Sequence, residues 1–184
     1  MNNIKFILKT SPYYPQHFFK LKQPPEFLFA LGNIQLLNTF CIGVVGARAC
    51  TEESILLTKQ LVTELSMRNI TILSGMADGI DQIAHNACID AHGKTIAIIG
   101  SGFEIAQKQK IFHQILENDG LILSEYFPDI PAFPYNFPRR NQLLVAISQG
   151  IVAVETHIKS GTMITAEEAL IQQVPLFTFP RWSS

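Results

Sequence analysis

The residues best suited to chemistry in this 184-residue chain are cations placed beside turns that expose backbone N–H groups. Arg139 and Arg140 open a helix in the stretch NFPRRNQLLVAISQG, with Pro138 in its first turn and Asn136 or Phe137 just outside it. Proline suits that place because a helix start can spare an N–H. Cations there oppose the helix dipole, so the two arginines point to work outside the helix. Further along, Lys159, Ser160, Gly161 and Thr162 lead into the helix TAEEALIQQ. A strand that runs into a Ser-Gly-Thr turn at a helix N-terminus offers amides and a positive dipole end to a phosphate. Arg48 leaves a similar turn, in GARAC. Together these residues describe an anion-binding rim.

Such a rim needs a frame that brings separate turns together, and the chain supplies one in its strand–turn–helix repeat. FCIGVVG, ITILSG, KTIAIIG, LILSEY and IVAVE are short apolar runs of strand length. Continuous apolar runs are expected of parallel strands covered on both faces. Helices are predicted over 52–68, 80–91 and 108–118, then from Pro138 to the stop at Gly150, and again after Thr162. Leu143, Leu144, Ala146 and Ile147 recur at helical spacing on the fourth of these. VPLFTFP reads as a last strand. This alternation predicts an α/β fold, a mostly parallel sheet with helices on both faces. Residues 1–39 are less regular, since Pro12, Pro15, Pro24 and Pro25 exclude long helices. They form a lead-in packed on the core, with a short helix over 16–20 and a short strand over 26–30, and 40–184 form the main domain. In open α/β sheets ligands bind beyond the carboxyl ends of the strands. Those ends are the turns 46–50, 74–79, 100–104, 124–127 and 156–162, which adds Gly46, Ser74 and Gly75 to the candidate set.

Other chemistry is weaker. Asp78, Asp81 and His85 fall at helical spacing and can gather a metal or serve as a base. The reading preferred is that Asp78 caps the helix and His85 is held by a hydrogen bond. Glu125 and Glu155 sit at strand ends, as acids or bases or as struts for neighbouring loops. Phe133, Tyr135 and Phe137 alternate beside the arginines and offer stacking surfaces for bases, although Phe133 is read as a plug over the core. GVVGARA lacks the GxGxxG spacing, and no Walker lysine follows a glycine-rich loop, so dinucleotide and P-loop readings are disfavoured. No cofactor and no metal are expected. With 47% hydrophobic residues, 16% charged residues and a net charge of −1, there is no overall basic field, and any polyanion site must be local. Cys41, Cys50 and Cys88 show no CxxC pairing and read as thiols of a reducing compartment. No apolar run reaches membrane-spanning length, and the N-terminus lacks a signal cleavage site. A cytoplasmic location is expected.

The motifs VVGARACT, LSGMADGIDQIAH, GLILSEY, NFPRRN and ETHIKSGTMITAEEA, in this order, resemble the DNA-processing protein A (DprA/Smf) family. The resemblance covers nearly the whole chain, including the lead-in YYPQHFFKLKQPPEFLFALGN. It implies a Rossmann-like doubly wound domain that binds single-stranded DNA without catalysis. It also implies a role in natural transformation, where incoming DNA is protected and RecA recombinase is loaded, and a homodimer. Carried over by position, the phosphate-contacting turns fall on Gly46 to Arg48, Ser74, Gly75 and Lys159 to Thr162. The arginine helix falls on Arg139, Arg140 and Asn141, with Phe137 contacting a base. Ala49, Asp78 and Gln142 replace residues that are commonly basic in the family, and EIAQKQK occupies the place of a usual Tyr-Pro pair. The family's closing part, its C-terminal module and an N-terminal helical module are not expected in this chain.

The alternative from a different class is a nucleotide-binding or nucleotide-hydrolysing Rossmann-like protein. Such hydrolases carry a glutamate three residues after a turn threonine. Here Thr165 takes that place, with Glu167 and Glu168 further on. A third possibility is a degenerate relative that keeps the fold without DNA binding.

Overall fold

A computed structural model describes residues 4–156 and 160–179. Among them, eight strands form one sheet in the order β1-β2-β6-β5-β4-β3-β7-β8. The strands are β1 (Lys5–Leu8), β2 (Phe27–Gly32), β3 (Cys41–Gly46), β4 (Thr71–Ser74), β5 (Thr95–Ile99), β6 (Leu121–Ser124), β7 (Gly150–Val154) and β8 (Leu176–Thr178). The six from β3 to β8 are parallel to their neighbours among themselves, whereas β1–β2 and β2–β6 are antiparallel. This is the expected Rossmann-like α/β fold. The lead-in adds two strands to the same sheet, of which β1 was not anticipated from the proline-rich sequence.

Every residue of β4, β5, β6 and β7 is buried. That is why these strands read as unbroken apolar runs instead of alternating ones. Helices α1 (Glu52–Met67), α2 (Ile80–Asp90), α3 (Phe103–Ala106) and α4 (Lys110–Glu117) cover one face. Val62 of α1 and Ala84 of α2 pack there on Val44 and Ile72, and Ile115 of α4 packs on Ala97 and Ile122. Helices α5 (Asn136–Ile147) and α6 (Gly161–Ile171) cover the other face, together with the lead-in's short 3-10 helix at Gln16–Lys20. There Leu143, Leu144 and Phe18 meet Leu73, Ile96 and Ile98.

Local chemistry sets the helix starts. Thr51 caps α1 by accepting from the Ser54 amide at 3.3 Å, and Glu52 and Glu53 follow in the first turn, where the dipole favours them. Ser160 caps α6 in the same way through the Met163 amide. Helix α5 begins at Asn136, so Asn136 and Phe137 lie inside it, and Pro138 keeps its expected place in the first turn. Helix α4 starts two residues later than predicted, and the separate short helix α3 precedes it. Asp78 does not cap α2. The cap position is Gly79, at φ +80°, where a side chain would collide with the backbone carbonyls of Ala47 and Arg48. Asp78 instead accepts from the Gln82 side chain at the surface.

Candidate nucleic-acid interface

The strand order creates one crevice. From β3 the chain moves outward through β4, β5 and β6, then returns to lay β7 against the other side of β3. A ligand site is expected at such a reversal, beyond the carboxyl ends of the two diverging strands. A cleft of about 390 Å³ lies there, between the β3 exit turn and the start of α6. Gly46, Arg48, Phe137, Arg140, Asn141, Ser160, Gly161 and Thr162 all line it, with Leu144 and Val45 among its apolar wall. Two runs of amides belong to residues that line it. The Arg48 and Ala49 amides have no hydrogen-bond partner among the described residues, nor do those of Gly161 and Thr162 at the α6 start. A second hollow of about 190 Å³ adjoins the cleft and shares Arg48 and Phe137 with it. Gly75, Gly100 and Ser101, from the β4 and β5 exits, line this second hollow.

Phe137 is the centre of the arrangement. The Arg48 guanidinium carbon stands 5.6 Å from its ring centroid and that of Arg140 5.9 Å, both within range of cation–π attraction. Arg48 is exposed, whereas Arg140 is only 5% exposed. Arg140 Nη1 donates to the Ile98 carbonyl of β5 at 2.9 Å, and its buried Nε has no partner among the described residues. Asp81 lies beside it, 6% exposed, and its Oδ2 accepts from the amides of Gly75 (3.1 Å) and Ala77 (3.4 Å). Burial pushes the Asp81 carboxyl above the usual carboxylate range, against the pull of Arg140 and of the amides it accepts from. Burial also works against the Arg140 charge, but an arginine keeps its proton in proteins. Gly75 is fixed by these neighbours, since a Cβ there would overlap the Arg140 guanidinium and crowd Asp81.

The remaining candidates lie elsewhere. Ser74 is fully buried, and its hydroxyl donates to the Val44 carbonyl, so that side chain is committed to joining β4 to β3. Arg139 points away from the cleft and makes a two-point pair with Glu125, at 2.7 and 2.8 Å. Its charge is thereby committed to the loop after β6. Lys159 lies outside the described residues. Asn141 reaches from α5 to the Gly161 carbonyl at 3.4 Å, tying the two helix starts together. Glu125 and Glu155 behave as struts, Glu155 accepting from the Thr51 amide and hydroxyl. His85 is held by Thr95, as expected. The Thr95 hydroxyl donates to the Ile72 carbonyl, so it accepts from His85 Nδ1–H, and the buried Nε2 has no partner among the described residues. Phe133 does not plug the core: it is exposed and stacks on Tyr135 with centroids 5.3 Å apart. Thr165 is buried, its hydroxyl donating to the Gly161 carbonyl, and neither Glu167 nor Glu168 lines the cleft. Among the described residues no cluster of His, Cys, Asp or Glu is arranged to hold a metal, and no helix is long and apolar enough to cross a membrane.

Sequence reasoning underrated Asp81. The clue was a carboxylate in the first turn of α2, six residues after a Ser-Gly strand exit, where it can fold back onto loop amides.

With this geometry in place, the comparisons have a definite meaning. A family model described as DNA recombination-mediator protein A matches residues 5–184. The chain belongs to this family. Protein Smf of Escherichia coli is 34% identical over 181 residues, 97% of this chain and 48% of that protein. DNA processing protein DprA of Streptococcus pneumoniae is 34% identical over 169 residues, 91% of this chain and 60% of that protein. The chain therefore spans about half the length of the curated relatives it matches. The solved structure of DprA from Streptococcus pneumoniae superimposes with a TM-score of 0.88 at 31% identity, covering 97% of this chain and 64% of that one. DNA processing protein A from Helicobacter pylori gives 0.87 at 31% identity, covering 98% and 84%, and its structure describes a single-stranded DNA binding mode. A molybdenum cofactor carrier protein from Chlamydomonas reinhardtii, at 19% identity and a TM-score of 0.54, shares the fold alone. DprA/Smf membership thus joins the switch-point cleft to a family of DNA-processing proteins.

Proposed function

We propose that this chain binds single-stranded DNA across the cleft between the β3 and β7 exits, without catalysis. In this reading backbone phosphates rest on the amides of Arg48, Ala49, Gly161 and Thr162, beside the charges of Arg48 and Arg140. A base lies against Phe137, and the strand continues into the second hollow. The observation that carries the reading is the gathering of two guanidinium groups over one aromatic ring at the sheet's reversal point. A cation–aromatic surface accepts any base, because every base has a π-face, and a cleft walled by loops suits a flexible single strand. The single-stranded DNA binding of the Helicobacter pylori relative supports the same assignment.

The wider role follows the family. The protein works in the cytoplasm during DNA uptake in natural transformation, protects incoming strands, acts as a homodimer and assists the loading of RecA recombinase. The test is a filter-binding titration of labelled oligo-dT and of a duplex of equal length at two salt concentrations. Three or four neutralised phosphates give a slope of log affinity on log salt of about −2 to −3 for the single strand. Equal affinity for the duplex, or no binding of the single strand at low salt, would overturn the proposal.

A further inference from the structure

We propose that the β3–β7 cleft is a receptor for one nucleotide, so that a free deoxynucleoside monophosphate is its smallest complete ligand and competes with single-stranded DNA. The inference rests on the DNA-binding reading and deepens it by naming the unit the cleft recognises.

The cleft has two chemically distinct ends. One is built from the amides of Gly161 and Thr162, which have no partner among the described residues, at the start of α6, an eleven-residue helix whose dipole favours an anion there. Among the described residues, and its own helix and chain neighbours aside, no atom lies within 4 Å of the place a Gly161 side chain would take, so a phosphate can approach that backbone directly. The other end is apolar and aromatic, with Phe137, Val45 and Leu144 on its walls. Arg140 forms part of the wall. It is 5% exposed, and its Nη1 donates to the Ile98 carbonyl, which fixes the guanidinium in that wall. Among the described residues that line the cleft, Arg48 and Arg140 contribute two positive charges, and Asp81, already engaged by the Gly75 and Ala77 amides, contributes at most one negative charge. A phosphate monoester carries about −1.5 to −2 at neutral pH. It therefore suits this field better than the single charge of an internal phosphodiester. A strand compensates by placing its next nucleotide in the adjoining hollow across Phe137.

The experiment is displacement of fluorescein-labelled oligo-dT from the full chain by dTMP, with thymidine and inorganic phosphate as the two half-ligands. The proposal expects dTMP to displace the strand at concentrations at least about tenfold lower than either half, because stacking and phosphate binding act in the same molecule. Arg48→Ala, at an exposed position, weakens dTMP several-fold more than it weakens thymidine, because only dTMP also loses a phosphate contact. If unlabelled oligo-dT competes while dTMP acts no better than inorganic phosphate, the one-nucleotide receptor is wrong and DNA binding stands. If labelled oligo-dT does not bind at all, calorimetry with dTMP decides. Binding tighter than inorganic phosphate by the same factor upholds the receptor without the DNA reading, and no heat overturns both.

Discussion

Arg139 and Arg140 are neighbours in sequence with opposite environments: Arg139 is locked to Glu125 by two hydrogen bonds, and Arg140 is sealed into the cleft wall over Phe137. One helical step of about 100° separates them, which turns one guanidinium to the β6 loop and the other to the ligand.

Arg139→Ala accordingly lowers stability and spares binding. It leaves Glu125 half-buried and without its partner, a loss of about 1–3 kcal/mol for charged hydrogen bonds. Arg140→Lys does the reverse. It keeps the charge but loses the planar fork that reaches both Ile98 and Phe137, and oligo-dT affinity falls about tenfold or more. Urea melts and DNA titrations on the two variants separate the roles. An Arg139→Ala protein of unchanged stability and poor affinity would reverse the assignment.

Gly75→Ala tests the buried link between the β4 turn and α5. The added methyl group displaces the Arg140 guanidinium from its seat against Ile98. DNA affinity is expected to fall about as far as in Arg140→Lys, and combining the two changes adds little, since both act on one contact. A fully additive double variant would show that Gly75 acts elsewhere.

His85 gives the protein a defined response to acid. Its folded pKa is pushed down to about 3 by burial, with the Arg140 charge adding to the effect, against the ordinary value of 6.5. Between those values the unfolded chain takes up a proton that the folded one refuses, so the stabilisation present above the ordinary value is lost as pH falls through this window. His85→Gln removes that dependence. The gap between urea midpoints at about pH 4 and about pH 7 should be smaller in the variant than in the parent. Parallel curves would mean that His85 titrates normally.

Asp78 stands exposed on the rim of the second hollow, where its negative charge faces the proposed path of the strand. Asp78→Arg should raise single-strand affinity and steepen the salt slope by about 0.7 for one added phosphate contact. Unchanged affinity would take the strand's path away from this hollow.

Much of this was legible in the sequence, for physical reasons that differ from element to element. The buried strands announced themselves because β4 to β7 are covered on both sides, leaving no polar face to interrupt ILS or GIVAV. The helix start after β3 was readable from Thr51, whereas α6 begins at Gly161, ahead of the expected start beyond Thr162, because Ser160 caps it through the Met163 amide. The antiparallel strand β1 was not readable, because its partner β2 lies some twenty residues away and its pattern, one buried residue in four, is weak. Gathering Gly46, Arg48, Phe137, Arg140 and the Ser160 turn on one cleft followed from topology alone. Separating Arg139 from Arg140 did not, because it depends on which way each side chain leaves α5. The roles of Asp81 and Ser74 were hidden for the same reason: each spends its polar atoms on backbone brought close only by folding.

The account stands or falls on where a single strand lies, and hydrogen–deuterium exchange with and without oligo-dT measures that directly. The amides of Arg48, Ala49, Gly161 and Thr162 have no partners among the described residues, so they exchange fast in the free protein. Binding should slow exchange in peptides covering 46–51 and 160–165, together with the start of α5. Protection confined to the lead-in strands or to the outer face of α1, with the β3 and β7 exits unchanged, would contradict it.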